Sequence, residues 1–149
     1  MKKKFGIIIA MLFIITGCTN KISKIDVTHF DEVMNNRGFF VTDQTETLDN
    51  DKVATAHVAY DSNYEINFIV CTSEEECKTM FSKNKEVILN SQDNVDVEEE
   101  KDGKQYQIYK AFIGDRYYIL VQVEDTFLYV DVYRSYNYEI KNIIEELGY

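Results

Sequence analysis

Proline and tryptophan are both absent from the 149 residues. No proline-rich linker or polyproline recognition segment is therefore available, and no Trp stacking platform. Histidine occurs twice and cysteine three times, which leaves most metal sites and Cys/His nucleophile schemes short of parts. Positive charge is scarce: Lys plus Arg total 16 against 26 Asp plus Glu, a net charge of −10. Nucleic acid as a partner is excluded on that balance, because phosphate binding needs a basic surface. Phosphate loops, dinucleotide fingerprints, zinc-protease helices and nucleophile elbows are missing. Neither Asp61-Ser62-Asn63-Tyr64-Glu65 nor Asp93-Asn94-Val95-Asp96 meets the calcium-loop pattern, which needs a Gly after alternating oxygen ligands. The sequence thus predicts no catalytic residue, no cofactor and no metal. What is present is 45% hydrophobic and 28% charged, the composition of one globular domain.

Long apolar runs are also few, and the clearest is at the amino terminus. Lys2, Lys3 and Lys4 precede the 11-residue stretch Phe5 to Ile15. In a helix that stretch rises roughly 16 Å, about half the hydrocarbon thickness of a bilayer. It reads as the core of a signal peptide rather than a membrane span. It ends in Ile15-Thr16-Gly17-Cys18, which resembles the lipobox of bacterial lipoproteins. The resemblance implies cleavage after Gly17 and lipid on the Cys18 sulfur. It also implies a location on the extracytoplasmic face of the cell membrane, which the protein contacts through the Cys18 lipid. Two acyl chains suffice for stable anchoring where one does not. Removing residues 1–17 takes away three Lys and no acid, leaving 13 basic against 26 acidic side chains, a net charge of −13. The resulting domain plan is a signal peptide at 1–17, a lipidated tether at 18–25 and one domain at 26–149.

Within that domain the spacing predicts an α+β fold. It would be a single antiparallel sheet of about six to seven strands, with about three helices packed on one face. The first helix is placed from Thr28, with Asp31 as a capping-box residue, and Gly38 ends it. A short strand covers 39–42, and a polar loop covers 43–52. Strands at 53–60 and 64–71 flank the turn Asp61-Ser62-Asn63. A second helix starts at Ser73, and a third over 137–147 buries Ile140, Ile143, Ile144 and Leu147. Between them lie four strands, at about 95–101, 104–113, 116–123 and 126–133. Two-residue loops at 102–103, 114–115 and 124–125 would fix their register. They pair Val97 with Ile108, Phe112 with Tyr117, and Val121 with both Ile108 and Leu128. Val95, Val97, Ile108, Phe112, Ile119, Val121, Leu128, Val130 and Val132 then share the core face, with Lys110 as a misfit. A three-residue loop in the first hairpin pairs Ala54, Ala56 and Val58 with Val70, Phe68 and Ile66.

The same registers assemble a second face. Tyr109, Leu120 and Tyr129 form one cross-strand row. Ala111, Tyr118 and Asp131 form the next, then Ile113, Arg116 and Tyr133. His57 projects beside them, opposite Asn67. Nine of the eleven tyrosines follow residue 105, so the concentration is regional, and Tyr suits wet recognition surfaces. This face is the candidate binding surface for an envelope protein, peptide or glycan. Against that reading, Tyr is simply a good strand former. Cys71 and Cys77 close a short loop at the start of the second helix. A structural disulfide, two thiols and a redox pair are all open at this level. The functional expectation is a non-enzymatic, membrane-anchored binding module. The alternative is an acidic, inhibitor- or immunity-type lipoprotein that sequesters a cationic peptide or lytic enzyme. A third reading is a small hydrolase using His57 with Asp131 or Tyr118.

Overall fold

The computed structural model describes residues 22–48, 50–91 and 94–149. The signal segment, Cys18 and the start of the tether lie outside the described residues. Among those described, the chain forms seven strands and four α-helices. In chain order they are α1 (Val27–Asn36), β1 (Phe40–Asp43), α2 (Thr45–Leu48), β2 (Val53–Tyr60), β3 (Glu65–Cys71), α3 (Glu74–Ser91), β4 (Val95–Asp102), β5 (Tyr106–Ile113), β6 (Arg116–Val123), β7 (Thr126–Tyr133) and α4 (Asn137–Leu147). The strands make one sheet in the order β1-β2-β3-β7-β6-β5-β4, with every neighbouring pair antiparallel. The α+β fold with a single antiparallel sheet is the one the sequence predicts.

The helices do not share one face, however. α1 and α4 cover the side carrying Ile66, Phe68, Tyr117, Ile119, Leu128 and Val130. α3 covers the opposite side, over Tyr109, Ala111, Ile113, Leu120 and Phe127. Topology is the reason. β3 sits in mid-sheet and β4 at the far edge, so the connection between them must cross β7, β6 and β5. An 18-residue helix is about 27 Å long, and four strand spacings are about 19 Å. α3 therefore spans the crossing while packing on β3, β7, β6 and β5. Its Cys77, Phe81 and Ile88 are buried there, and Phe81 meets the Phe127 ring edge-on at 6.4 Å. A disulfide between Cys71 and Cys77 joins the end of β3 to the first turns of α3, with Cα atoms 5.6 Å apart.

Local chemistry sets the other boundaries. α1 starts directly after its cap, Asp26, two residues ahead of Thr28; the Asp26 carboxylate accepts from the His29 N–H at 2.8 Å. Asp31 is left free of capping duty. α2 stands inside the segment the sequence marks as polar loop. Asp43 accepts from both the N–H (2.9 Å) and the hydroxyl (2.5 Å) of Thr45, and that hydroxyl accepts from the Ala56 N–H of β2 at 2.9 Å. The packed domain also begins earlier than residue 26. Ile22 and Ile25 lie against the α1/α4 core, and Lys24 forms an ion pair with Asp125.

Two of the inferred loops form as predicted. Phe112 pairs with Tyr117 and Ile108 with Val121, while Val121 pairs with Leu128 and Ile119 with Val130. The loop at 102–103 does not. Four residues, Gly103 to Tyr106, lie between Asp102 and its partner Gln107, and Lys101 faces Ile108. Gly103 lies under the Tyr106 ring, where an added Cβ would come within 2.2 Å of ring carbon; its N–H donates to the Tyr106 carbonyl at 2.8 Å. A bulge between Val97 and Glu99 then places Val97 opposite Ala111 and Val95 opposite Ile113. Both valines leave the inferred core face, and Val97 is exposed. The first hairpin also shifts by one. Asp61 accepts from the N–H groups of Asn63 (2.7 Å) and Tyr64 (3.0 Å), and its own N–H donates to the Tyr64 carbonyl. The loop thus holds four residues, and Ala56, His57 and Ala59 pair with Ile69, Phe68 and Ile66.

Lys110, the misfit, is explained by β4. That strand is an edge, as its charges suggest, and Lys110 meets Glu99 at 2.7 Å. Next to this pair, Glu98 accepts from Lys141 of α4 and from the Tyr117 hydroxyl at 2.6 Å. Partial burial pushes the Glu98 carboxyl up, but these two hydrogen bonds and the nearby lysines outweigh it and hold it below its usual range. A group depressed in the folded state contributes stability that is lost as pH falls through its folded value. Glu98→Gln is therefore expected to flatten the fall in melting temperature on acidification from about pH 5 to about pH 3. Reduction of the Cys71–Cys77 loop should lower unfolding stability by about 2 kcal/mol. Amide exchange should show the loss first in α3.

Candidate functional site

The one-residue shift in the first hairpin decides where His57 goes. Pairing with Phe68 puts it on the α1 side of the sheet, not beside the tyrosines. Its Nδ1 lies 2.8 Å from Asp31 Oδ1 of α1, and its Nε2 lies 3.9 Å from Asp43 Oδ2 of β1. With its side chain 14% exposed, His57 is a polar tie between α1 and the sheet edge. Asp131 and Tyr118, paired with each other across β6 and β7, are on the opposite face. The hydrolase reading needs His57 to converge with one of them, and the sheet lies between.

α3 divides the tyrosine face. Tyr109 and Leu120 are beneath it, at 1% and 0% exposure, and cannot meet a partner. Beyond the helix the face stays bare. Tyr118 and Tyr129 are half-buried at the boundary, and Tyr133 is exposed. Registers from β1 to β6 continue the bare surface across the sheet. Phe40, Tyr60 and Glu65 lie in one row, with Thr42, Val58, Asn67 and Tyr129 in the next. The surface is a trough of two adjoining hollows of about 450 Å³ and 290 Å³, which share Glu65 and Asn67. Gln44 and Leu48 flank one end beside α2, and Arg116, Asp131 and Tyr133 line the other.

The side chains at that second end are fixed before anything binds. Arg116 donates through Nε to Asp131 Oδ1 at 2.7 Å and through a terminal nitrogen to the Asp131 carbonyl at 2.9 Å. Its guanidinium lies 4.6 Å from the Tyr133 ring centroid, a cation–π distance. Burial, aided by the nearby Asp131 charge, pushes the Tyr129 hydroxyl up to about 12. That phenol therefore keeps its proton, and its capacity to donate, throughout the neutral range. At the sheet edge Phe40 and Tyr60 make a ring pair at 6.0 Å, and both rings reach solvent. Glu65 has no basic partner among the described residues, and its contact is a long 3.4 Å bond from the Asn67 amide.

This arrangement can stack flat or cationic groups, and it offers phenol, amide and carboxylate tips. Among the described residues there is no group of three or more His, Cys, Asp or Glu able to hold a metal ion. Nor is any helix there long and apolar enough to cross a membrane. Phe40, Tyr60 and Glu65 are the site residues that sequence reasoning misses. Their signal is the alternation of β1 and β2, which becomes readable only with the four-residue turn at 61–64. The chain matches no family model, no curated protein and no solved structure.

Truncation separates the covered from the bare part of the face. Leu120→Ala should cost about 2–5 kcal/mol of unfolding stability. Tyr133→Ala and Tyr60→Ala should each stay within about 1 kcal/mol of the parent in chemical denaturation.

Proposed function

We propose that the protein is a lipid-anchored, extracytoplasmic binding module of the cell envelope, and that it recruits its partner through the trough beside α3. The observation that carries this reading is the bare stretch of sheet beside a helix that buries the rest of the same face. Monomeric proteins seldom leave such clustered rings uncovered unless something docks there. Ile15-Thr16-Gly17-Cys18, with its likeness to a lipobox, supports the anchor and the location.

The partner best suited to the trough is an extended segment of an envelope protein carrying Lys or Arg. Tyr60, Tyr129 and Tyr133 are rings on which a cation can stack, and Glu65 supplies a carboxylate that the described Lys and Arg residues leave unmet. Arg116 on Tyr133 is an intramolecular instance of that contact. A net charge of −13 after cleavage favours the related second reading, capture of a free cationic peptide or lytic enzyme by the acidic domain as a whole. Charge attraction of that diffuse kind is screened by salt, whereas stacking in a formed site is much less so.

One experiment addresses both. A photo-crosslinking residue in place of Tyr133 should capture a partner in intact cells, and one in place of Lys83, exposed on α3, should not. Capture that persists at high salt supports the trough. Equal capture from both positions that vanishes at high salt supports the diffuse acidic reading. Mass spectrometry of the amino-terminal peptide should find Cys18 first and diacylglyceryl-modified; an unmodified terminus ahead of it removes the anchor.

A further inference from the structure

We propose that the strands stand upright on the membrane, so that the trough's Arg116 and Tyr133 end is membrane-distal and takes a partner arriving from outside rather than a lipid or a chain in the same bilayer. The inference rests on the anchor at Cys18. It follows from where Ile22 and Lys24 sit in the fold. Ile22 lines one hollow with Tyr106, Ile108 and Tyr149, and Lys24 pairs with Asp125 in the β6–β7 turn. Both contacts lie at the end of the sheet that holds the 103–105 and 124–125 turns, on the α1/α4 side. Four chain steps lead from Cys18 to Ile22, a reach of at most about 14 Å. The lipid must therefore enter the bilayer close to this end.

The trough is opposite in both respects. It opens on the other sheet face, and its Tyr133 and Arg116 row is seven residues up β6 from Val123. At about 3.3 Å per residue that is roughly 23 Å. A flat pose, with α1 and α4 against the lipid, is disfavoured by charge. The outer surface of those helices exposes Glu32, Glu139 and Glu145, with Glu146 paired to Arg37, whereas the turn end sets Lys24, Lys52, Lys101 and Lys104 against Asp51, Asp102, Glu124 and Asp125 and is closer to charge balance. Like charge near an anionic surface is repelled within a Debye length of about 8–10 Å.

Two single-cysteine variants test the pose in the lipoprotein purified from its own membranes. Ser62→Cys marks the 61–64 turn and Lys104→Cys the 103–105 turn, and both positions are exposed. With Cys71 and Cys77 joined and Cys18 lipidated, each introduced thiol is the one that takes a fluorophore. In vesicles of phosphatidylglycerol and phosphatidylethanolamine bearing headgroup nitroxides, the Lys104→Cys label should be quenched several-fold more than the Ser62→Cys label. Equal quenching, or stronger quenching at Ser62→Cys, with diacylglyceryl found on Cys18, overturns the pose and leaves the anchor standing. An unmodified Cys18 overturns the anchor and the pose together.

Discussion

The crossing of α3 from mid-sheet to the far edge is the constraint on which the rest of the molecule depends. β3 pairs with β7, so β4 can be reached only by passing over three strands. That passage puts a helix on the second face and buries Tyr109, Leu120 and Phe127. It also fixes how much of the face stays open, because the packing of α3 is spread over β3, β7, β6 and β5. The trough is the remainder of a face whose apolar part needed a cover. The disulfide holds this division in place at the point where α3 leaves the sheet, a short loop whose closure also narrows the unfolded ensemble.

A second constraint is the parity of β2. Because side chains alternate, one extra residue in a turn exchanges the two faces of a strand. The Asp61 carboxylate, by accepting two backbone N–H groups, sets that count at four residues. Ala59 rather than Ala54 then lies in the core, and α1 approaches over Phe68, with Phe30 stacked on it at 5.0 Å. His57 enters the same layer and finds Asp31. A residue that composition alone marks as chemically interesting becomes a structural tie. Tyr60, in turn, joins the bare face.

Much of this was legible in the chain. Gly114-Asp115 and Glu124-Asp125 set the β5-β6-β7 registers correctly, because a two-residue loop leaves no freedom in the pairing. The third helix followed from its i, i+3, i+4, i+7 isoleucines and leucine, all buried. Side-chain effects that periodicity does not encode account for the errors. At Gly103 the Tyr106 ring lies over the glycine and opens the turn. At Val97 a bulge turns a period-two pattern out of phase. Near Asp61 a side chain acts as part of the turn. The α3 cover depended on β3 pairing with β7, a contact between segments more than fifty residues apart, and no local pattern reports it. The candidate surface is accordingly divided: Tyr118, Tyr129 and Tyr133 stay at the open part, while Tyr109 and Leu120 are covered.

The character of the open part follows from the same division. Under α3 the rings are packed on carbon, and the buried Tyr109 hydroxyl finds no hydrogen-bond partner among the described residues, which costs stability. Outside the helix, ring faces, an amide and Glu65 stand at the surface instead, and Arg116 is held in place by Asp131 and Tyr133. Pre-organised polar tips on a rigid sheet lose little freedom on binding, which favours recognition over adaptable, promiscuous contact. The acidic excess of the chain then acts at longer range. In the proposed role it would draw cationic segments toward the surface, and the stacked and hydrogen-bonding groups of the trough would select among those that arrive.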